Sequence, residues 1–488
     1  MFGALIEKEL KGMFLGPKFL MTFGVCSLLI LLSLFLGIQD YRAAVSAYQA
    51  GNQLVDQEMQ EKTSWMSLST RIYREPNPMQ IFIAGVNHDI GRYAGIHPTE
   101  PIKLTNSVYS DDPIFAVFRF LDFSVIVQIV LSLFAVLFTY DAIAGERENG
   151  TLSLVFSNAV PRLKYILAKF IGSWLGMVVP LLLPLLFGML MIFLFRIPFT
   201  QQHWLQIGAL FGASLLYFTF FIALGIFISS LTRRASVSFL ILLVVWVTCV
   251  FILPRIGVMM AGNFYPVPSA AEIDGQIEGY SKDRWDRYIQ AMEETMRKRN
   301  AEMEGLSESE REAYREAHLW EWMQESDSQR SGVQADINEF SRKLNETQRN
   351  KQAEQERLAF SLARISPAAA FQLTAMNLAE TDIRLKSRFG QSLETYHASF
   401  VDYADQKQKE GGMGGGIQIT FDSNDGMRFS FGRDKGKLDV SGLPRYQSPG
   451  RSVMQILHPA LMDFTLLAVY TLLALTGSFM AFMKYDVR

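Results

Sequence analysis

The chain has 488 residues, of which 49% are hydrophobic, 12% aromatic and 19% charged, with a formal net charge of -2. So apolar an average excludes an ordinary soluble enzyme, and the near-neutral balance leaves no basic field for nucleic acid. What remains is a membrane protein with polar segments; Cys26 and Cys249 both fall inside apolar runs, so those segments must fold without disulfides.

At the amino terminus, Phe2, Leu5, Ile6, Leu10, Met13 and Phe14 recur at helical spacing, with Glu7, Lys8 and Lys11 on the other side. This predicts an interfacial helix over residues 1–15. Glu9 lies inside the apolar stripe, where a carboxylate needs a partner, and Arg147 or Arg233 is the expected one. Gly16-Pro17 breaks the helix, and Phe19 to Ile38 forms an apolar run long enough to cross a bilayer and longer than a signal-peptide core, so residues 16–38 are the first span. Gln39 to Asp112 is polar and interrupted by Pro76, Pro78, Pro98 and Pro101, which predicts a separate loop.

The second span is expected from Pro113 to Tyr140. The third runs from Leu163 to Phe195 with Pro180 and Pro184 predicting a kink, the fourth from Leu205 to Ser230, the fifth from Ser236 to Leu253 and the sixth from Pro459 to Met483. With six spans, Lys8, Lys11, Lys18, Arg147, Arg162, Lys164, Arg233, Arg234, Lys484 and Arg488 all fall on one side. The positive-inside rule makes that side cytosolic, with both termini, and places residues 39–112 and 259–458 outside.

Within the long outer segment, Ile273, Ile277, Tyr280, Ile289, Met292 and Met296 predict one amphipathic helix, and Val333, Ile337, Phe340 and Leu344 a second packed on it as a hairpin. A small-residue helix begins at Ser366-Pro367 and is expected to return to the membrane surface. After the glycine run 411–416, Ile417, Ile419 and Phe421 alternate, Asn424-Asp425-Gly426 turns, and Met427, Phe429 and Phe431 alternate back. That is a β-hairpin. The fold class is therefore an α-helical integral membrane protein with six transmembrane helices and a mainly helical outer domain, 259–458, containing a β-hairpin.

Chemistry-bearing motifs are few. No phosphate-binding Gly-x-x-x-x-Gly-Lys-Ser/Thr occurs, nor His-Glu-x-x-His or Gly-x-Ser-x-Gly, so no catalytic residues are assigned. His88-Asp89 with His97 lacks metal-ligand spacing, and no metal site is assigned. Arg119 and Asp122 are read as an i,i+3 pair at the membrane interface, Gln128 as the strongly polar group deep in the second span, and Gly172/Gly176 and Gly208/Gly212 as helix-packing pairs.

The informative stretch is Asp141 to Leu152, Asp-Ala-Ile-Ala-Gly-Glu-Arg-Glu-Asn-Gly-Thr-Leu, directly after the second span. Gly145 and Gly150 bracket three charges, and Leu152, Val155 and Phe156 then share one helical face, so a short amphipathic helix lies across the ends of the spans within residues 141–160. Gly-Glu-Arg-Glu-Asn-Gly-Thr-Leu in this position closely resembles the cytosolic loop of type-2 ABC exporter permeases. The resemblance implies a coupling helix seated on a separate ABC ATPase, with Glu146, Arg147, Glu148, Gly150, Thr151, Leu152 and Phe156 as coupling residues. It also implies a second permease copy, identical or homologous, with the second and fifth spans bordering the path between copies, which makes Gln128, Trp246 and Thr248 candidate lining residues. ATP and magnesium then belong to the ATPase, this chain is not itself an enzyme, and the location is the bacterial cytoplasmic (inner) membrane among its lipids. The alternative is a mechanotransmitting subunit that acts on an extracytoplasmic partner protein and conducts no substrate.

Overall fold

In the computed structural model, residues 2–62, 68–97, 103–105, 121–158, 160–411, 417–422, 426–431, 438 and 440–484 are described. The chain begins with α1 (Phe2–Phe14), stopped at Gly16, and continues in α2 (Pro17–Gln60), where Pro17 occupies a first-turn position that needs no backbone donor. Three short strands follow: β1 (Thr70–Tyr73), β2 (Tyr93–Ile96) and β3 (Lys103–Thr105). Next come α3 (residues 123–139), α4 (Ala144–Glu148), α5 (Thr151–Ser157), α6 (Arg162–Leu194), α7 (Gln201–Leu231) and α8 (Ala235–Phe264). The rest comprises α9 (Ala270–Glu302), α10 (Glu308–Ala363), α11 (Pro367–Leu378), α12 (Leu385–Gly411), β4 (Ile417–Asp422), β5 (Gly426–Phe431) and α13 (Val453–Met483).

Among the described residues, six helices are long and apolar enough to cross a membrane: α2, the helix begun by α3, α6, α7, α8 and α13. The protein is an α-helical, multi-pass membrane protein. Several bounds differ from those expected. The helix of the first span runs 22 residues past Ile38, to Gln60, because most of the residues that follow are good helix formers and none is proline, so that Gly51 alone does not end it. Among the described residues the helix of the second span begins at Phe123, where Asp122 caps it, its Oδ1 accepting from Val125 N at 3.0 Å; residues 113–120 of the expected span lie outside the described residues. Arg119, the expected partner of Asp122, lies outside the described residues, as do 412–416 of the glycine run and the hairpin turn 423–425. Pro180 and Pro184 sit inside the continuous helix α6.

The chain divides into two compact units, Met1–Ile252 with Ser366–Arg488, and Leu253–Ile365. The stretch 259–458 is therefore not one domain. In the first unit, the helical bundle has a core running from Ile30 and Leu34 through Tyr217 and Phe221 to Phe371. α11 lies inside it: Pro367 to Phe371 are buried, and Phe371 stacks on Tyr217 with ring centroids 4.9 Å apart. The expected surface helix is thus a core element, because its small side chains admit close packing against α7 and α13. A second core joins parts of both polar stretches. Met59 of α2, Ile72, Ala94 and Ile96 of the antiparallel sheet β1-β2-β3, and Phe389, Leu393 and Phe400 of α12 pack together. The sheet had no clear alternation in sequence. In the hairpin β4–β5, Ile417 pairs with Phe431, Ile419 with Phe429 and Phe421 with Met427, which puts the apolar positions on one face.

The second unit holds the end of α8 and the antiparallel helices α9 and α10. Ser307 and Glu310 form a capping box at the start of α10. Ile273, Val333 and Ile337 are buried, and Tyr280 stacks on Phe340 at 4.1 Å, so the two stripes pair at these positions, whereas Ile289 and Met296 of the expected first stripe are exposed.

Candidate coupling site

α3 ends in a turn whose backbone is tied to α7: Ile143 N and Ala144 N both donate to Ser229 Oγ at 3.0 Å. Ala142, Ile143 and Ala144 are buried there, which anchors α4. Gly150 then takes φ 71°, ψ 2°, a left-handed conformation that redirects the chain into α5. The face of α5 is as predicted. Leu152 is buried, and Phe156 packs against Tyr165 and Phe482 at 5.4 and 6.1 Å between ring centroids. Its other face is open, with Ser153 and Ser157 exposed and Leu154 65% exposed.

The electrostatics overturn the expected pairing of Glu9 and turn one of the coupling carboxylates inward. Glu146 does not offer its carboxylate outward: its side chain is only 14% exposed and receives Lys169 Nζ at 2.9 Å, Lys8 Nζ at 2.8 Å and Tyr165 Oη at 2.6 Å. Glu9 meets neither Arg147 nor Arg233; its carboxylate lies 2.7 Å from the same Lys169 ammonium, whose side chain is 5% exposed. A chain of charges, Glu9–Lys169–Glu146–Lys8, thus joins α1, α6 and α4. Gly172 and Gly176 make it sterically accessible, since a Cβ at either would fall 2.7 Å from Glu9 Cβ or 2.6 Å from Met13 Sδ. The pair Gly208/Gly212 makes no comparably close approach. Glu148 is also used internally, Oε2 accepting from Ala235 N at 3.0 Å and so capping α8. Lys169 escaped the sequence reading; the available signal was a lone ammonium seven residues into an apolar helix that starts at Arg162, one turn after Tyr165. Arg162 Nη1 donates to Met483 O at 2.9 Å, which brings the end of α13 to this same end of the bundle.

The profile of the ABC-2 family transporter proteins matches residues 4–487. The chain belongs to the ABC-2 transporter family. No curated protein matches it. As an ABC-2 family protein it is a membrane component of an ABC transporter, a permease, and the family as a whole works with an ABC ATPase.

The candidate lining residues of this permease lie near two π-helical turns, Ile126–Leu131 in α3 and Thr248–Ile252 in α8. Gln128 and Trp246 are 9% and 6% exposed, and Ser132 brings them together: it accepts from Trp246 Nε1 at 2.8 Å and donates to the Gln128 carbonyl. Tyr217 Oη donates to that same carbonyl at 2.9 Å. Thr248 stands apart, half-buried, with its hydroxyl returned to Val244 O at 2.8 Å. Ser366 Oγ donates to Cys249 O, so α11 is fastened to the second π turn. Such turns free carbonyls from the regular helical ladder, which here accept side-chain donors. Elsewhere His88 Nε2 lies 3.5 Å from Asp40, while the His97 carbonyl faces His397; among the described residues no group of three or more His, Cys, Asp or Glu could hold a metal ion.

Proposed function

We propose that this permease couples ATP hydrolysis on a separate ABC ATPase, which carries ATP and magnesium, to export across the bacterial cytoplasmic membrane. The ATPase engages the open face of α4–α5, where Leu154 with Arg147, Thr151 and Ser153 offers contact while Glu146, Leu152 and Phe156 hold the helices to the bundle. The observation that carries this reading is the shared use of Lys169. A push on α4 is resisted by ion pairs to α6 and α1 and, through Glu148, by the first turn of α8, so several spans move together rather than one loop bending. A second copy completes the permease, with Gln128, Trp246 and Thr248 near the path between copies. Both termini are cytosolic in this reading, which the concentration of basic residues at that end supports.

The test is ATP hydrolysis by the purified complex in lipid, measured beside the ATPase alone. Leu154→Asp should leave insertion and the bundle intact and remove permease-dependent stimulation. Full stimulation in Leu154→Asp would sink the docking assignment. For orientation, a cysteine at Ser328 should react with an impermeant reagent in intact cells and one at Ser153 should not; labelling of Ser153 would reverse the topology.

A second reading, mechanical action on an extracytoplasmic partner without conduction, is favoured by the separate helical unit Leu253–Ile365, on which Trp320 is 77% exposed and Met323 58%. Capture of a partner by this unit, lost in Trp320→Ala with ATPase stimulation retained, distinguishes it.

A further inference from the structure

Just beyond the apolar stretch of α2, Asp40 and Tyr48 form one wall of a cavity of about 150 Å³, faced by Arg74, Gln80, His88 and Arg92. Its donors exceed its acceptors. Arg74 Nη2 donates to the Asn87 carbonyl at 2.8 Å, but its Nη1 is buried with no acceptor. Gln80 is 5% exposed; its Oε1 accepts from Asn87 Nδ2 at 2.8 Å, which sets the amide so that Nε2 too is buried without an acceptor. Buried donors are nearly always satisfied, so two orphans on one cavity point to a missing acceptor.

Charge says the same. Arg74 and Arg92 both line the cavity, and burial first, then the Arg92 charge, pull the Arg74 guanidinium down to about 10. Asp40 is the single carboxylate among the described lining residues, and it faces His88 at 3.5 Å. The walls are held in place. Tyr73 packs on Tyr93 with centroids 5.3 Å apart and sits so close to α2 that a Cβ at Gly51 would fall 2.5 Å from its ring.

We propose that this cavity binds the oxyanion group of a small molecule, a carboxylate or phosphate, between Arg74 Nη1 and Gln80 Nε2 with Arg92 supplying the second positive charge. Guanidinium and amide donors together suit an oxygen-bearing anion with more than one acceptor. The volume lies below the range of roughly 300–1,000 Å³ typical of drug-sized ligands, so the bound part is small. Two sources share this chemistry: a free anion, or the phosphate of a lipid headgroup, because Asp40 follows the apolar run by two residues.

The test uses the full chain purified in detergent. Acetate, succinate and inorganic phosphate are titrated against chloride at constant ionic strength by calorimetry, and bound anionic lipid is quantified by mass spectrometry. Variants are Gln80→Leu, which keeps volume and removes the amide, and Arg74→Gln. Saturable binding of a free anion, weakened about tenfold or more in either variant, supports a soluble ligand. Co-purified anionic lipid lost from either variant, without free-anion binding, supports the headgroup. Wild-type affinity in a folded Gln80→Leu, or no anion and no variant-dependent lipid in the wild type, overturns the proposal.

Discussion

Replacing Lys169 with methionine keeps an unbranched side chain one atom shorter and removes one ammonium from between two carboxylates. Its Nζ lies 2.7 Å from Glu9 and 2.9 Å from Glu146, and at an effective dielectric of about 20 each contact carries roughly 6 kcal/mol of gross attraction. Most of that offsets the desolvation of three groups, so the expected net loss is the cost of stripping one partner from a buried pair, about 3–5 kcal/mol. Glu146 retains Lys8, whose side chain is 52% exposed and well hydrated, which puts the loss near the lower end. Glu9 keeps no comparable cation among the described residues, so α1 should leave α6. The assay has two readouts on protein purified in lipid nanodiscs: the thermal midpoint by tryptophan fluorescence, and disulfide formation between cysteines at Met13 and Gly176, whose positions adjoin. Lys169→Met should lower the midpoint and abolish the cross-link. Glu9→Gln, Lys169→Met and Glu146→Gln together should recover at least half the loss, because no buried charge is then stranded. A single variant as stable as the wild type, or a triple variant no better than the single, would refute the argument.

Gly150→Val should lose ATPase stimulation while Gly150→Asn keeps most of it, since no atom crowds the added Cβ and the left-handed φ alone decides, at about 1–3 kcal/mol for a β-branched residue. Circular dichroism unchanged alongside full stimulation in the valine variant would contradict this. Glu148→Ala should destabilise the start of α8 by about 0.5–2 kcal/mol, read as faster hydrogen exchange at Ala235 and Ser236, whereas Glu148→Gln, which still accepts, should lose less. His88 gives a pH dependence. Burial above all, then the charges of Arg92 and Arg74, depress its pKa below 6.5, against the opposing pull of Asp40 and Asp89. Its folded pKa is therefore the lower one, so its contribution is present above about pH 6.5 and lost as the pH falls through the folded value. The thermal midpoint should drop from pH 7.5 to 5, and drop less in His88→Asn; equal slopes would exclude His88 as the cause.

The six apolar helices long enough to span a membrane, the amino-terminal helix and the apolar face of α5 were legible in the sequence because each follows from local hydrophobic periodicity and from a bilayer thickness that demands about 20 apolar residues. The pairing of β4 with β5 and of α9 with α10 was legible for the same reason, since each follows from apolar residues at regular spacing. Gly150 was readable too, since few residues tolerate its conformation. What only the tertiary structure decided was pairing at a distance. Glu9 is 160 residues from Lys169, and no periodicity tells a carboxylate which of several cations it will meet. The same holds for Glu148 at the start of α8, for the joining of residues 59–96 with 389–404 into one core, and for α11, whose small residues are consistent with a surface or a core until α7 and α13 close around it. Local chemistry fixes which groups must find partners, whereas the choice of partner is made by the whole packed bundle.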